Sequence, residues 1–172
     1  MKKLGLYIHI PFCDKICNYC DFTAFQGANS KIKEYVEALK KEIELKGNKD
    51  FLIDSIFIGG GTPSFIDGKY IFDILEKLRE NFTVLDNIEI TIETNPKTFD
   101  EKKLEYYKRA KINRVSIGVQ SFNDKILKEL GRNHSSKEAL ESIELIKKFG
   151  FDINLDLIFG YQSQTIEDIL HD

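Results

Sequence analysis

Apolar and polar positions along the chain fall into two alternating rhythms. Leu4 to Ile10 is an apolar segment that reads as a strand, and Pro11 stops it. From Ser30 the spacing changes. Ile32, Tyr35, Val36, Leu39 and Ile43 lie on one helical face, and Gly47 ends it. Ser55 to Ile58 predicts a second strand running into Gly59-Gly60-Gly61-Thr62-Pro63-Ser64, and Tyr70, Ile71, Ile74, Leu75 and Leu78 predict the next helix. Ile88 to Glu93 is a third strand, broken by Asn95-Pro96, with a helix from near Asp100. Arg114 to Gln120 is a fourth strand. Two short helices follow, divided at Gly131-Arg132; Ser135 and Glu138 form a capping box on the second, and Gly150 stops it. Phe151 to Phe159 is the fifth strand, and Thr165 with Asp168 reads as the cap of a last helix.

Strands separated by helices at this spacing predict right-handed βαβ units and a parallel α/β sheet of about five units. Ile88, Ile90 and Ile92 oppose Glu89, Thr91 and Glu93; Val115, Ile117 and Val119 oppose Ser116, Gly118 and Gln120; Ile153, Leu155 and Leu157 oppose Asn154, Asp156 and Ile158. A parallel sheet covered on both faces reads as continuous apolar runs. Here one face is apolar, toward helices, and the other small or polar. That predicts a wide, incomplete (β/α) barrel with a polar ligand on its concave face, the alternative being an open sheet with one solvated face.

The carboxyl ends of parallel strands form the ligand-binding rim. At that rim fall the loop after strand one, the glycine run, Glu93, Gln120 and Asp156. Each has a plain reading beside the functional one. Glycines permit positive φ, Tyr7 and His9 read as inward-pointing core residues, and Phe12 and Phe22 as packing around the loop. His134 is expected to be exposed beside a helix start, and Arg132 is either a surface residue or a site residue.

The loop after strand one carries the chemistry. All three cysteines, Cys13, Cys17 and Cys20, lie in it at C-x3-C-x2-C spacing. A disulfide would leave one over. Three thiolates can occupy three corners of a [4Fe–4S] cubane, leaving one iron open to a non-protein ligand. The same thiols could hold zinc with a fourth ligand such as His9, although zinc sites usually pair C-x2-C elements.

Composition narrows the setting. The 172 residues are 42% hydrophobic and 31% charged, with formal charge −3, as for one ordinary globular domain. Lysines alternate with glutamates and form no basic patch, so nucleic acid is not an expected partner. No apolar run reaches the ~18 residues of a membrane span. Free cysteines, and too short an apolar run after the first lysines for a secretory signal, predict a cytoplasmic location.

Taken together the motifs resemble those of radical S-adenosylmethionine proteins. Tyr-Ile-His-Ile-Pro-Phe-Cys-x3-Cys-x2-Cys spans Tyr7 to Cys20, and Gly-Gly-Gly-Thr-Pro-Ser spans 59 to 64. Glu-x-Asn-Pro at Glu93, Gly-Val-Gln-Ser-Phe at 118 to 122 and Leu-Gly-Arg-x-His at 130 to 134 are similar to the coproporphyrinogen III dehydrogenase (HemN) group, which includes the heme chaperone HemW branch.

The resemblance implies that Cys13, Cys17 and Cys20 ligate a [4Fe–4S] cluster. S-adenosylmethionine would chelate the fourth iron, where an electron cleaves it to methionine and a 5′-deoxyadenosyl radical. Gly60, Gly61 and Thr62 match the segment facing the methionine part, and Glu93 the residue that binds the ribose hydroxyls. Tyr7, Gln120, Arg132 and Asp156 match further nucleotide positions, and Tyr19 an aromatic beside cluster and adenine. Heme or a porphyrinogen, and a reductant such as flavodoxin or ferredoxin, are the implied partners.

Two departures matter. The dehydrogenase carries a further cysteine two residues after the third; here Cys20 is followed by Asp21-Phe22, the pattern of the chaperone branch. Gly160-Tyr161-Gln162-Ser163-Gln164-Thr165 replaces a Gly-Leu-Pro-Gly-Gln-Thr turn, so that turn is expected to be less fixed. Residues 1–172 read as the N-terminal part of a radical SAM core domain. The last barrel strand and a C-terminal domain bearing a His-Asn-x-x-Tyr segment are not within it. The chain is expected to bind the cluster without completing heme transfer, and its last strand to be an exposed edge that favours self-association.

Overall fold

The computed structural model describes residues 2–172. Five strands, β1 (Lys2–Ile10), β4 (Phe51–Gly60), β5 (Thr83–Thr94), β6 (Arg114–Gln120) and β7 (Asp152–Leu157), form one sheet in that order, every pair parallel. Each new strand joins the same edge, so right-handed crossovers leave their helices on one face and the other stays open. The result is an incomplete parallel (β/α) barrel. A small parallel pair, β2 (Phe12–Cys13) and β3 (Phe25–Gln26), closes the base of the cysteine loop.

The connecting helices are α1 (Ile32–Lys46), α2 (Gly68–Asn81), α3 (Glu101–Arg109), α4 (Asp124–Glu129) and α5 (Ser136–Lys148), with α6 (Ile166–His171) after β7. Their starts follow local chemistry. Asp67, Asp100 and Asn123 accept from the Lys69, Lys103 and Lys125 amides, and Ser135 with Glu138 makes the predicted capping box. Gly150 stops α5 with φ +68. The apolar strand face (Ile53, Ile56, Ile58, Ile92, Val115, Ile117) packs on Val36, Ile71, Leu75, Leu78, Leu104 and Ile146, all nearly inaccessible. Each such side chain contributes about 1.5–3 kcal/mol by leaving water.

β1 and β4 begin earlier than expected, at Lys2 and Phe51, and two later strands also differ. β5 begins at Thr83 rather than Ile88 because Leu85 to Ile88 bulge out opposite Asp54, with Asn87 at φ +56. The bulge hides the alternating signal. β7 ends at Leu157 instead of Phe159, the chain then turning through Gly160 at φ +82. Leu155 and Leu157 are 41% and 42% exposed, so the apolar face of β7, predicted to lie under helices, is covered only at Ile153, which packs on the core. β7 is the sheet edge, and α6 leaves Ile166, Ile169 and Leu170 exposed as well.

Candidate functional site

The cysteine loop is anchored before it reaches any ligand. Phe25 N donates to Pro11 O (2.7 Å), and Cys20 N to Cys17 O (3.1 Å). The glycine segment is sewn to the same place: Gly61 N donates to Ile10 O and Thr62 N to Phe12 O, both at 2.9 Å. A Cβ on Gly61 would stand 2.9 Å from Phe12 O and 3.0 Å from Cys13 Sγ, and Gly60 has φ +123. Both positions therefore require glycine, one for space and one for backbone conformation.

A cavity of about 340 Å³ opens between this segment and the strand ends. Cys13, Cys17, Tyr19, Cys20, Gly60, Gly61, Thr62, Glu93, Gln120, Arg132 and Asp156 all line it, as do Asn95, Gly118 and Phe22. Of the predicted site residues only Tyr7 lies off it. Tyr7 is 59% exposed, stacks on Phe57 and donates to His9 Nδ1 (3.1 Å), while His9 Nε2 donates to the Thr23 carbonyl (3.0 Å). Tyr7 is thus not a core residue. His9 serves as a bridge from β1 to the loop's return, its ring filling the space over Gly60.

Hydrogen bonds tie the rim together. Asn95 Nδ2 donates to Thr62 Oγ1 (2.9 Å), which leaves the Thr62 hydroxyl proton for Cys13 Sγ (3.4 Å). Arg132 donates from Nη1 to Cys17 Sγ and Tyr19 Oη (both 3.4 Å), and from Nη2 to Asn95 Oδ1 (2.6 Å) and Gly118 O (2.5 Å). Its Nε–H is buried with no partner among the described residues. Arg132 is therefore no surface residue. Gly60 N donates to Glu93 Oε2 (3.1 Å), and Asp156 accepts from Ser116 and Asn154.

These contacts set the electrostatics. Burial pushes the Cys13 thiol up, with the Thr62 hydrogen bond and Arg132 acting the other way. Tyr19 is pushed up to about 12 by burial despite Arg132. Burial likewise raises the Glu93 carboxyl, partly offset by the Gly60 amide and reinforced by Asp156.

Asn95 is the residue that sequence reasoning passed over. Its position in Glu-x-Asn-Pro was read as a strand breaker, although an amide held extended before proline can offer both a donor and an acceptor. Two further readings are corrected. Phe22 is 73% exposed at the cavity mouth, not packed; Phe12 alone packs, edge-to-face on Tyr35. His134 is only 5% exposed, because the turn after α4 folds it under the end of β6, where Nε2 donates to Val119 O (3.1 Å). The altered turn after β7 is held by side chains: Gln164 Nε2 donates to Ile158 O, and Tyr161 Oη and the Ser163 hydroxyl both donate to Glu129.

The donor set fits an iron–sulfur cluster with a zwitterionic ligand beside it. Three thiols share one cavity with a guanidinium that has an unused donor, a glycine segment that a Cβ would obstruct, and two carboxylates. Among the described residues no three His, Cys, Asp or Glu side chains are gathered as ligands of a single ion. Among the described residues no helix is long and apolar enough to cross a membrane.

Comparison with known proteins agrees with this geometry. The family model of the radical SAM superfamily matches residues 7–172. The heme chaperone HemW of Buchnera aphidicola subsp. Schizaphis graminum is 41% identical over 175 residues, covering 100% of this chain and 46% of that protein. That of Escherichia coli is 38% identical over 178 residues, covering 100% and 47%. The chain thus spans just under half the length of these curated relatives. The structure of E. coli coproporphyrinogen III oxidase (HemN), described as a radical SAM enzyme, superposes with TM-score 0.90 at 29% identity, over 99% of this chain and 40% of that one. With its cysteine loop, glycine segment and strand-end rim around one cavity, the chain belongs to the radical SAM superfamily.

Proposed function

We propose that residues 1–172 form a cofactor-binding core domain of a HemW-like heme chaperone, which holds heme for delivery to apoproteins. Cys13, Cys17 and Cys20 hold a [4Fe–4S] cluster, and S-adenosylmethionine lies beside it. When bound, the cluster supplies one-electron chemistry at its open iron. The remaining work belongs to the chain's own groups. The backbone of Gly60, Gly61 and Thr62 approaches the methionine part, and Glu93 accepts from the ribose hydroxyls. Gln120, Arg132 and Asp156 hold the rest of the nucleotide, Tyr19 shields the cluster, and Tyr7 orients His9. The observation carrying this reading is the convergence of three thiols, the glycine cradle and the strand-end polar groups on one cavity.

Two features favour heme handling: the Cys20-Asp21-Phe22 sequence, and relatives named heme chaperone HemW. The likeness to coproporphyrinogen III oxidase favours a second reading, radical oxidative decarboxylation of coproporphyrinogen III to protoporphyrinogen IX. Either reading calls for a reductant protein of the flavodoxin or ferredoxin kind and a cytoplasmic setting, and the exposed β7 edge favours self-association.

Anaerobic reconstitution with iron and sulfide tests the cluster. An absorbance band at about 400 nm, lost in Cys17→Ala, is expected; a colourless protein retaining zinc would overturn it. Titration with heme, set against product analysis with coproporphyrinogen III, separates the two biological readings.

A further inference from the structure

Gln120 stands in an unusual backbone state. Its φ is +70, a left-handed conformation that strains a non-glycine residue. The β6–β7 register explains where the strain comes from. Gly118 faces Asp156 and Gln120 faces Leu157, so Val119 has no partner on β7 and forms a bulge. Bulges in parallel sheets are rare and re-aim the side chain that follows them. Here the chain rejoins its neighbour at once, Ile158 N donating to Gln120 O (2.9 Å). The glutamine side chain is thereby turned into the cavity, folded back across Gly118, where a Cβ would lie 2.7 Å from Gln120 Nε2.

A bulge leaves a carbonyl without its ladder partner, and a buried orphan carbonyl is costly. His134 meets it. The Val119 oxygen can only accept, so the proton is on His134 Nε2, and the buried Nδ1 has no partner among the described residues. Arg132, two residues earlier in the same turn, binds Gly118 O on the other side of the bulge. One turn therefore grips the carbonyls of both residues that precede Gln120.

We infer that His134 is a positioning residue: its imidazole clamps the Val119 bulge and so holds Gln120 in the strained conformation that points its amide into the cofactor cavity. The inference rests on the proposed reading of Gln120 as a cofactor contact. Burial, with Arg132 close by, keeps the imidazole neutral at physiological pH, with its pKa lowered to about 4. A side chain that merely filled space would do as well with any ring of similar size.

The test uses the whole chain with three variants. His134→Phe keeps the bulk and removes the donor, His134→Gln keeps a donor at a similar reach, and Gln120→Ala removes the aimed side chain. In the cluster-free protein, the Gln120 and Ser121 amide resonances are followed by nitrogen–proton spectra. In the anaerobically reconstituted protein, iron content is measured and S-adenosylmethionine is titrated by calorimetry. The clamp predicts displaced Gln120 resonances and roughly tenfold weaker S-adenosylmethionine binding in His134→Phe at unchanged iron content, the effect of one lost hydrogen bond. His134→Gln restores both. Unchanged Gln120 resonances in His134→Phe, or failure of His134→Gln to restore them, overturn the clamp. If Gln120→Ala binds S-adenosylmethionine as well as the parent, the reading of Gln120 as a contact fails, and the resonances decide the clamp by themselves.

Discussion

Arg132 Nη2 donates to Asn95 Oδ1 at 2.6 Å, and this contact joins two cysteines through one hydrogen-bonded chain. From Cys13 Sγ it runs through the Thr62 hydroxyl, the Asn95 amide and the Arg132 guanidinium to Cys17 Sγ. Hydrogen bonds to cluster thiolates orient them and tune the centre they hold. Asn95 uses both its side-chain donor and its acceptor inside this chain. Replacing it by leucine leaves the Thr62 hydroxyl without its donor and an Arg132 N–H without its acceptor. A loss of about 1–3 kcal/mol is expected in urea unfolding of the cluster-free protein. Asn95→Asp, which keeps the acceptor for Arg132, should lose less.

Gly61→Ala tests the cradle. Its Cβ would press on the Phe12 carbonyl and on Cys13 Sγ, so either the glycine segment or the cysteine must move. Overpacking of this kind costs about 1–3 kcal/mol. We expect retained far-UV circular dichroism and a clear drop in iron per chain after reconstitution. Full iron content in this variant would show that the loop moves freely away from the glycines.

The buried His134 makes stability depend on pH. Its folded pKa is lowered to about 4 from an ordinary 6.5, so between these values the unfolded chain binds more protons than the folded one. Stability is therefore full above about pH 6.5 and falls as pH drops toward 4, by at most about 3 kcal/mol. Urea unfolding at pH 7 and pH 4.5 measures it. His134→Gln should flatten this part of the profile, whereas an equal slope would mean that another group carries it.

Tyr107 offers a stabilising change. It is fully buried, and its hydroxyl has no hydrogen-bond partner among the described residues. Tyr107→Phe removes an unsatisfied polar group without opening a cavity. We expect a gain of about 1 kcal/mol, read as a higher urea midpoint at unchanged slope.

The sequence by itself determined the order of strands and helices, the parallel sheet, the polar face and most of the residues around the cavity. Those signals are local. A two-residue or helical period, a capping box, a glycine run and a C-x3-C-x2-C loop are all written over a few neighbouring positions. Where a local signal was interrupted, as by the bulge that hides the start of β5, it failed. Tertiary structure alone decided which distant groups meet. Arg132 reaches Cys17 across 115 residues of chain, Asn95 bridges Thr62 to Arg132, and His134 passes from an expected surface position to the underside of β6. No period encodes such pairings. They arise because a carbonyl, a thiol or a guanidinium taken out of water must find a partner, and only the packed fold determines which partners lie within reach.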